Sequence, residues 1–262
     1  MVTTDQPAQT PLGRWMTLVY GVGCYAVFLA TFLYAIGFVG GFAVPTTLDG
    51  APRMSTMMAL MVDFGLLALF AVQHSVMARP AFKRAWTRIV PPAAERSTYV
   101  LFSSIALIVL FAFWQPLGGM VWSIEHPVGR MLMWTGFAFG WGLVLMATFQ
   151  INHFDLFGLR QVWLHFRGRP YVHLAFTTPA LYRVVRHPLY VGWFFAFWCT
   201  PAMSAAHLVF AVMTTAYILV AIQLEERDLV AHLGADYERY RRRVPMLIPR
   251  FIRRSQPRKA PA

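Results

Sequence analysis

The sequence is short of charge and shortest of acid: 13% of its 262 residues are charged, and only 11 are Asp or Glu. A soluble domain carries about twice that share of charge, so a freely soluble fold is excluded. Cysteine is nearly absent. Cys24 and Cys199 each lie inside an apolar run, without a metal-ligand partner at close spacing, so neither a disulfide framework nor a thiolate metal site is expected. Both read as small packing hydrophobes. There is no H-x-x-x-H pair and no Cys/His cluster, and no metal site is expected. A soluble-type G-x-G-x-x-G loop is missing as well; Gly37, Gly40 and Gly41 close an apolar run and read as close-packing residues. The opening MVTTDQPAQTPLGRW lacks a cationic region before a cleavable apolar core, so the first apolar run is expected to stay as a span.

Apolar residues make up 58% of the chain, and they come in long uninterrupted runs rather than in the alternating stripes of amphipathic soluble helices. A bilayer core needs about 20 apolar residues per helix. On that count, spans are expected at 16–39, 56–77, 98–114, 131–149, 190–204 and 207–224. The fifth is short and carries Pro201, which suits a tilted or partial span. The expected fold is therefore an all-α integral membrane protein. It has about six transmembrane helices, five if the last hairpin is partial, plus short cytoplasmic helices at the C-terminal end.

The net charge of +12 is gathered in particular loops. Nucleic-acid binding is not expected, because the basic residues flank spans, where they mark the cytoplasmic side and meet anionic lipid. Arg79, Lys83, Arg84, Arg88 and Arg96 face the single acid Glu95 in the loop at 78–97. Arg160, Arg167, Arg169, Arg183 and Arg186 face Asp155 between the fourth and fifth spans, and the tail beyond Leu224 is richer still in arginine. The connections at 45–55 and 115–130 are nearly neutral. Basic and neutral loops alternate in this way only with an even number of spans and both termini cytoplasmic. Trp15, Trp86, Trp114, Trp122 and Trp163 sit near the expected span ends and read as interfacial anchors. The stretch at 255–262, short, basic and Pro-containing, is expected to be disordered.

Two polar stretches carry the chemistry, since polar groups near a bilayer are costly unless they serve a purpose. In TTPALYRVVRHPLYVGW (177–193), Thr178 reads as a helix N-cap and Pro179 as its first residue. That helix is expected to stop at His187, because Pro188 disfavours helical backbone before it, and Pro188 starts the next. Arg186 and His187 then stand at a break between two helices, where free backbone N–H groups suit an anionic group. Gly192 lets another backbone or a ligand come close. In LEERDLVAHLGADYERYRRRVPMLIP (224–249), Glu225 and Glu226 end the last apolar run. The helix continues through Leu229, Val230 and Leu233 to Gly234. A short helix with Asp236, Tyr237, Tyr240 and Arg241–Arg243 follows, and Pro245 ends it. The arginines alone suit a helix lying on anionic lipid. Two adjacent acids near acidic headgroups need a cation or hydroxyls to compensate them.

Together these stretches resemble the membrane methyltransferases of the isoprenylcysteine carboxyl methyltransferase and phospholipid methyltransferase type. The shared signature reads Arg186-His187-Pro188, Tyr190 and Gly192; then Glu225-Glu226; then Gly234, Tyr237 and Tyr240; then Val244-Pro245 and Pro249. The resemblance implies S-adenosylmethionine as methyl donor, bound at the cytoplasmic side by Arg186, His187, Pro188, Tyr190, Gly192, Glu225, Glu226 and Tyr237. A sulfonium with a carboxylate, an ammonium and a ribose diol needs a cation, acids and an aromatic wall, and these residue types supply them.

Over nearly its whole length the chain also resembles bacterial methanethiol S-methyltransferases of the nurim-like branch, in QHSVMARPAFK, PPAAERSTYV and NHFDLFGLRQVW. This implies methylation of a small thiol, methanethiol to dimethyl sulfide, with S-adenosylhomocysteine as coproduct, in a bacterial inner membrane. On this reading 1–262 is one membrane-embedded methyltransferase unit: 1–160 on the acceptor side, 177–250 binding the donor. Thiolate is the competent nucleophile, so a neutral histidine that takes the proton is useful. His153 and His74 are the candidates, and Arg96 is placed to stabilise the anion. Asp155 either orients a histidine or caps the following turn. His126, His165, His173, His207 and His232 read as structural or solvated. The alternatives are a lipid or prenylcysteine acceptor, which needs a lateral opening for a long chain, and a non-enzymatic nurim-like membrane protein. The polar residues that a transport path would need inside the spans, Asp63 and Gln223, are sparse and have no evident partner.

Overall fold

A computed structural model of the chain describes residues 10–249; the stretch at 255–262 expected to be disordered lies outside them. The elements run α1 (Pro11–Gly40), α2 (Thr56–Ala78), α3 (Pro80–Trp86), α4 (Pro92–Phe113), β1 (Met120–Ser123), α5 (Pro127–Ile151), α6 (His153–Leu156), α7 (Leu159–Phe166), a 3₁₀ turn (Ala180–Arg183), α8 (Pro188–Trp198), β2 (Ala202–Ser204), α9 (Ala205–Leu233) and α10 (Ala235–Arg243). Helices α1, α2, α4, α5 and α9 are long and apolar enough to cross a membrane. Their outward faces expose residues such as Met61, Leu69 and Phe149, the inverse of a soluble surface. The chain is an all-α integral membrane protein.

Local chemistry explains the helix ends. Thr10 and Ser55 accept N–H bonds from Gly13 and Met58 at the starts of α1 and α2, and Pro92 and Pro127 open α4 and α5 at the position where proline is best tolerated. Gly41 closes α1 at φ 74°, its N–H bonded to the Gly37 carbonyl.

The short fifth pass has a physical explanation. Helix α8 has 11 residues, about 16 Å of rise, and the chain then runs extended into β2. That strand pairs antiparallel with β1, which lies between α4 and α5. At the other end, His187 meets Glu226, near the end of α9. Ser204 and Glu226 are about 33 Å apart along α9. A helix followed by an extended segment thus covers the distance that the other passes cover by helix alone. The chain passes along the bundle five times as long helices and once as this helix-plus-extended segment, and α1 starts, and α10 lies, at the same, basic end.

Close packing of α5 against α8 sets this arrangement. A Cβ on Gly192 would stand 2.8 Å from the Gly140 carbonyl and the Val144 nitrogen, and one on Gly140 would stand 2.4 Å from the Ala196 nitrogen. The close approach that Gly192 permits is to the backbone of α5, the small-residue packing of membrane helices. The core above it is aromatic: Phe38, Phe111, Trp114, Phe137, Trp141 and Phe210.

Three expectations change. Trp114 is 2% exposed and belongs to the core, because α4 ends inside the aromatic cluster rather than at the surface. Asp63 has a partner: its Oδ1 accepts the Gln115 N–H at 2.9 Å. The helix expected from Pro179 to His187 shrinks to a single 3₁₀ turn at Ala180–Arg183, with Pro179 rather than Thr178 before it. The reason is tertiary. The N–H groups of Arg186 and His187 bond the carbonyls of Pro245 and Met246, and this pulls the segment out of helix. Gly234, at φ 56°, ends α9 as expected, and α10 stops before Pro245.

Candidate functional site

The Arg-His break and the double acid of α9 meet at the basic end. Pro188 starts α8, so His187 has the non-helical backbone required before a proline, and both side chains point across to α9. Arg186 Nε donates to Glu226 Oε1 at 2.7 Å, and His187 Nε2 meets the same oxygen at 3.0 Å. Arg186 Nη1 donates to the carbonyls of Arg241 (3.0 Å) and Val244 (2.7 Å). One guanidinium therefore ties α9, the end of α10 and the Val244-Pro245 turn to the helix break. The Arg186 and Glu226 side chains are 10% and 8% exposed, and their mutual bonds satisfy them.

Glu225 is different. Its side chain is 47% exposed, and its Oε2 accepts the Tyr190 hydroxyl at 3.0 Å. His187 Nδ1 stands 3.9 Å from that oxygen. The adjacent acids thus divide their roles: Glu226 is enclosed by the clasp, and Glu225 faces out. Tyr237, from α10, is 2% exposed and packs near Phe176 and Tyr240. Burial, reinforced by the nearby Glu226 charge, pushes its phenol pKa well above the ordinary tyrosine value. Burial likewise pushes Tyr240 up to about 12, and its hydroxyl donates to the Tyr182 carbonyl at 2.6 Å. Two clefts open beside the clasp. One of ≈330 Å³ borders Glu226, Arg227 and Arg241, and one of ≈380 Å³ borders Phe176, Thr178 and Arg183. Both are in the size range of ligand pockets.

The acceptor-side candidates separate into two places. His153 follows a sharp turn at Asn152, whose φ is 118°, and is 4% exposed. Its Nε2 bonds the Tyr25 hydroxyl (2.8 Å) and its Nδ1 the Thr148 hydroxyl (2.9 Å), while Phe149 stacks on the ring at 4.3 Å. Burial lowers its pKa below the ordinary histidine value. Among the described residues Asp155 meets no histidine at hydrogen-bond distance. Its carboxylate takes Arg160 and the Tyr171 hydroxyl and so fastens the connection after α7 to α6.

His74, on α2, lies elsewhere. Its Nδ1 is 3.2 Å from Ser103 Oγ, and the Tyr99 hydroxyl is 3.0 and 2.9 Å from its two nitrogens. Arg96 anchors its Nε on the Leu156 carbonyl at 2.7 Å and holds its guanidinium 5.1 Å above the Tyr99 ring. It links the segment of His153 to that of His74. Sequence reasoning assigned no role to Tyr25, Thr148, Tyr99 or Tyr217. Polar residues inside apolar runs were the available signal, and it does not tell which of them meet.

The chain matches no family model and no solved structure. Among curated proteins it is 58% identical to a methanethiol S-methyltransferase of Crocosphaera subtropica, over 91% of this chain and 93% of that protein. It is 54% identical to a methanethiol S-methyltransferase of Mycobacterium tuberculosis, over 90% and 97%. A more distant likeness, 29% over 68% of this chain and 65% of the other, joins it to Nurim of Xenopus laevis. With identities above one half over nine-tenths of its length, the chain belongs to the methanethiol S-methyltransferase family.

Proposed function

We propose that this protein methylates methanethiol to dimethyl sulfide with S-adenosylmethionine as methyl donor, releasing S-adenosylhomocysteine. The observation that carries the reading is the clasp. Residues 40 apart in sequence, Arg186 and Glu226, hold the helix break against α9, and this leaves the Glu225 carboxylate, the Tyr190 ring and the enclosed Tyr237 at one place. The chemistry of this set suits the donor: an acid for its ammonium or ribose hydroxyls, aromatic rings for its apolar parts, and cations for its carboxylate. When bound, the donor supplies an electrophilic methyl on a sulfonium. The protein binds and orients it, with Glu225, Tyr190, His187 and Tyr237 as contacts. Arg186 and Glu226 hold those contacts in position, and Pro188 and Gly192 shape and seat α8. Positioning of this kind accounts for a large part of many rate enhancements.

A small apolar thiol partitions into a membrane-facing pocket, and this suits a membrane enzyme for so small a substrate. The arginine-rich loops gather at the clasp end, which supports placing that end, with both termini, on the cytoplasmic face of a bacterial inner membrane. The partners are then a small thiol and membrane lipid, without nucleic acid. Purified protein in detergent, given labelled donor and either methanethiol, hydrogen sulfide or a farnesylated cysteine analogue, tests the reading. Turnover of methanethiol is expected, and its absence sinks the proposal.

A further inference from the structure

The clasp leaves open where the thiol sits and what takes its proton. Inward from Glu225, rings from three helices gather. Phe70 stacks on His74 one turn away in α2, with centroids 5.2 Å apart, and Tyr99 of α4 meets the same imidazole at 5.2 Å. Tyr217 of α9 packs edge-on against Phe70 at 6.2 Å, and its hydroxyl bonds Ser75 at 3.0 Å. Arg79, just past the end of α2, donates to Asp228 at 2.8 Å, and Asp228 stands one turn along α9 from Glu225, which accepts the Tyr190 hydroxyl. The cluster around His74 thus lies against the same helix, α9, that carries the acids of the clasp.

We propose that this cluster, walled by Phe70, Tyr99 and Tyr217, is the acceptor pocket for a small alkanethiol, and that His74 is the base that takes the thiol proton. The proposal rests on the methyltransferase reading and adds the location and the base. Its bonding partners distinguish His74 from His153. Separate hydroxyls hold the two nitrogens of His153, and aromatic rings cover its face. At His74, Ser103 serves Nδ1, while a single Tyr99 hydroxyl lies within 3.0 Å of both nitrogens. That hydroxyl bonds one nitrogen at a time, so an incoming S–H can replace it at Nε2. Arg96 stands over the Tyr99 ring, a fixed cation beside the developing thiolate.

In the step, the thiol proton passes to His74 and the sulfur lone pair forms the new S–C bond. The donor C–S bond breaks with its electrons going to the donor sulfur, which cancels the sulfonium charge. One proton per turnover then leaves His74 for water at the basic end.

The test compares two small thiols of different acidity in His74→Asn, with S-adenosylhomocysteine binding as the check on folding. Methanethiol needs its proton removed, whereas 2,2,2-trifluoroethanethiol is far more acidic and is already mostly thiolate in mildly alkaline buffer, where methanethiol is still mostly protonated. The variant is expected to lose about 100-fold or more in kcat with methanethiol and less than about 5-fold with the acidic thiol. Equal losses with both, while homocysteine-product binding persists, overturn the role of His74. Tyr217→Ala gives an independent reading. It is expected to raise kcat/KM for butanethiol relative to methanethiol by about 10-fold, and an unchanged ratio overturns the location. Should His74→Asn fail to bind the product, the Tyr217 ratio decides alone. Failure of the methyltransferase reading is distinct, for then the unaltered protein turns over neither thiol.

Discussion

Arg186 and Glu226 hold each other at 2.7 Å across 40 residues of sequence, with both side chains nearly enclosed. Removing one partner strands the charge of the other, at a cost of about 3–5 kcal/mol. Glu226→Ala is therefore expected to lower the melting temperature in detergent by several degrees and to abolish binding of S-adenosylhomocysteine. Arg186→Lys keeps the charge but not the fork that reaches two backbone carbonyls, and falls between. Replacing both partners by Met is expected to destabilise less than either Glu226→Ala or Arg186→Ala. Strictly additive losses in thermal unfolding would show that the two do not act as a unit.

Glu225 is expected to behave in the opposite way. Half exposed and bonded to Tyr190 alone among the described residues at hydrogen-bond distance, it contributes little to folding. Glu225→Gln should leave the melting temperature nearly unchanged. It should weaken S-adenosylhomocysteine binding by about 10- to 100-fold, the range for a hydrogen bond to a charged group. Calorimetry on the two glutamate variants side by side reads the division of labour. A Glu225 variant that binds normally would place the donor elsewhere.

The contact between α5 and α8 offers a steric test. Gly192→Ala pushes a methyl into backbone 2.8 Å away, and such overpacking costs about 1–3 kcal/mol. The shift would also displace the helix that carries Tyr190, so activity and stability should fall together. Gly142→Ala, on the same α5 but facing open space, should leave both unaltered. Thermal melts and initial rates of the two alanine variants make the comparison.

His153 predicts a pH dependence of stability. Burial lowers its pKa in the folded protein, whereas in the unfolded chain the ring titrates near the ordinary value of about 6.5. As pH falls through that value the unfolded chain gains a proton that the folded ring does not, so stability is full above it and declines on acidification. His153→Gln should flatten that decline between pH 7.5 and 5.5 in detergent melts. A variant whose melting temperature falls as steeply as the unaltered protein's would remove the buried histidine as the cause. Tyr25→Phe, which removes the Nε2 partner, should lower stability at both pH values by about 1 kcal/mol.

Much of the site was legible before folding was considered. Pro188 announces a helix break at Arg186-His187, Gly234 announces the end of α9, and the two acids at the end of an apolar run announce a need for cations. The segment before the break is less helical than the local signal at Thr178-Pro179 predicts, because backbone bonds from Arg186 and His187 to Pro245 and Met246 compete with it. Asp63 looked solitary because its partner, Gln115, lies 52 residues away. Glu225 and Glu226 looked equivalent, since nothing local separates neighbouring acids on one helix.

Hydropathy, loop charge, proline and glycine act over a few residues or by simple sum, and through them the amino-acid order settles residence in a membrane and which end of the bundle is basic. Those same local quantities leave undecided which acid is enclosed and which faces out, and which hydroxyls meet His74 and His153. Packing decided these. The glycine-to-glycine contact of α5 and α8 sets the depth of α8, and that depth determines which turn of α9 meets Arg186. Contacts between residues 40 to 128 positions apart depend on how helices seat against one another, a property that belongs to the assembled bundle and to no single segment.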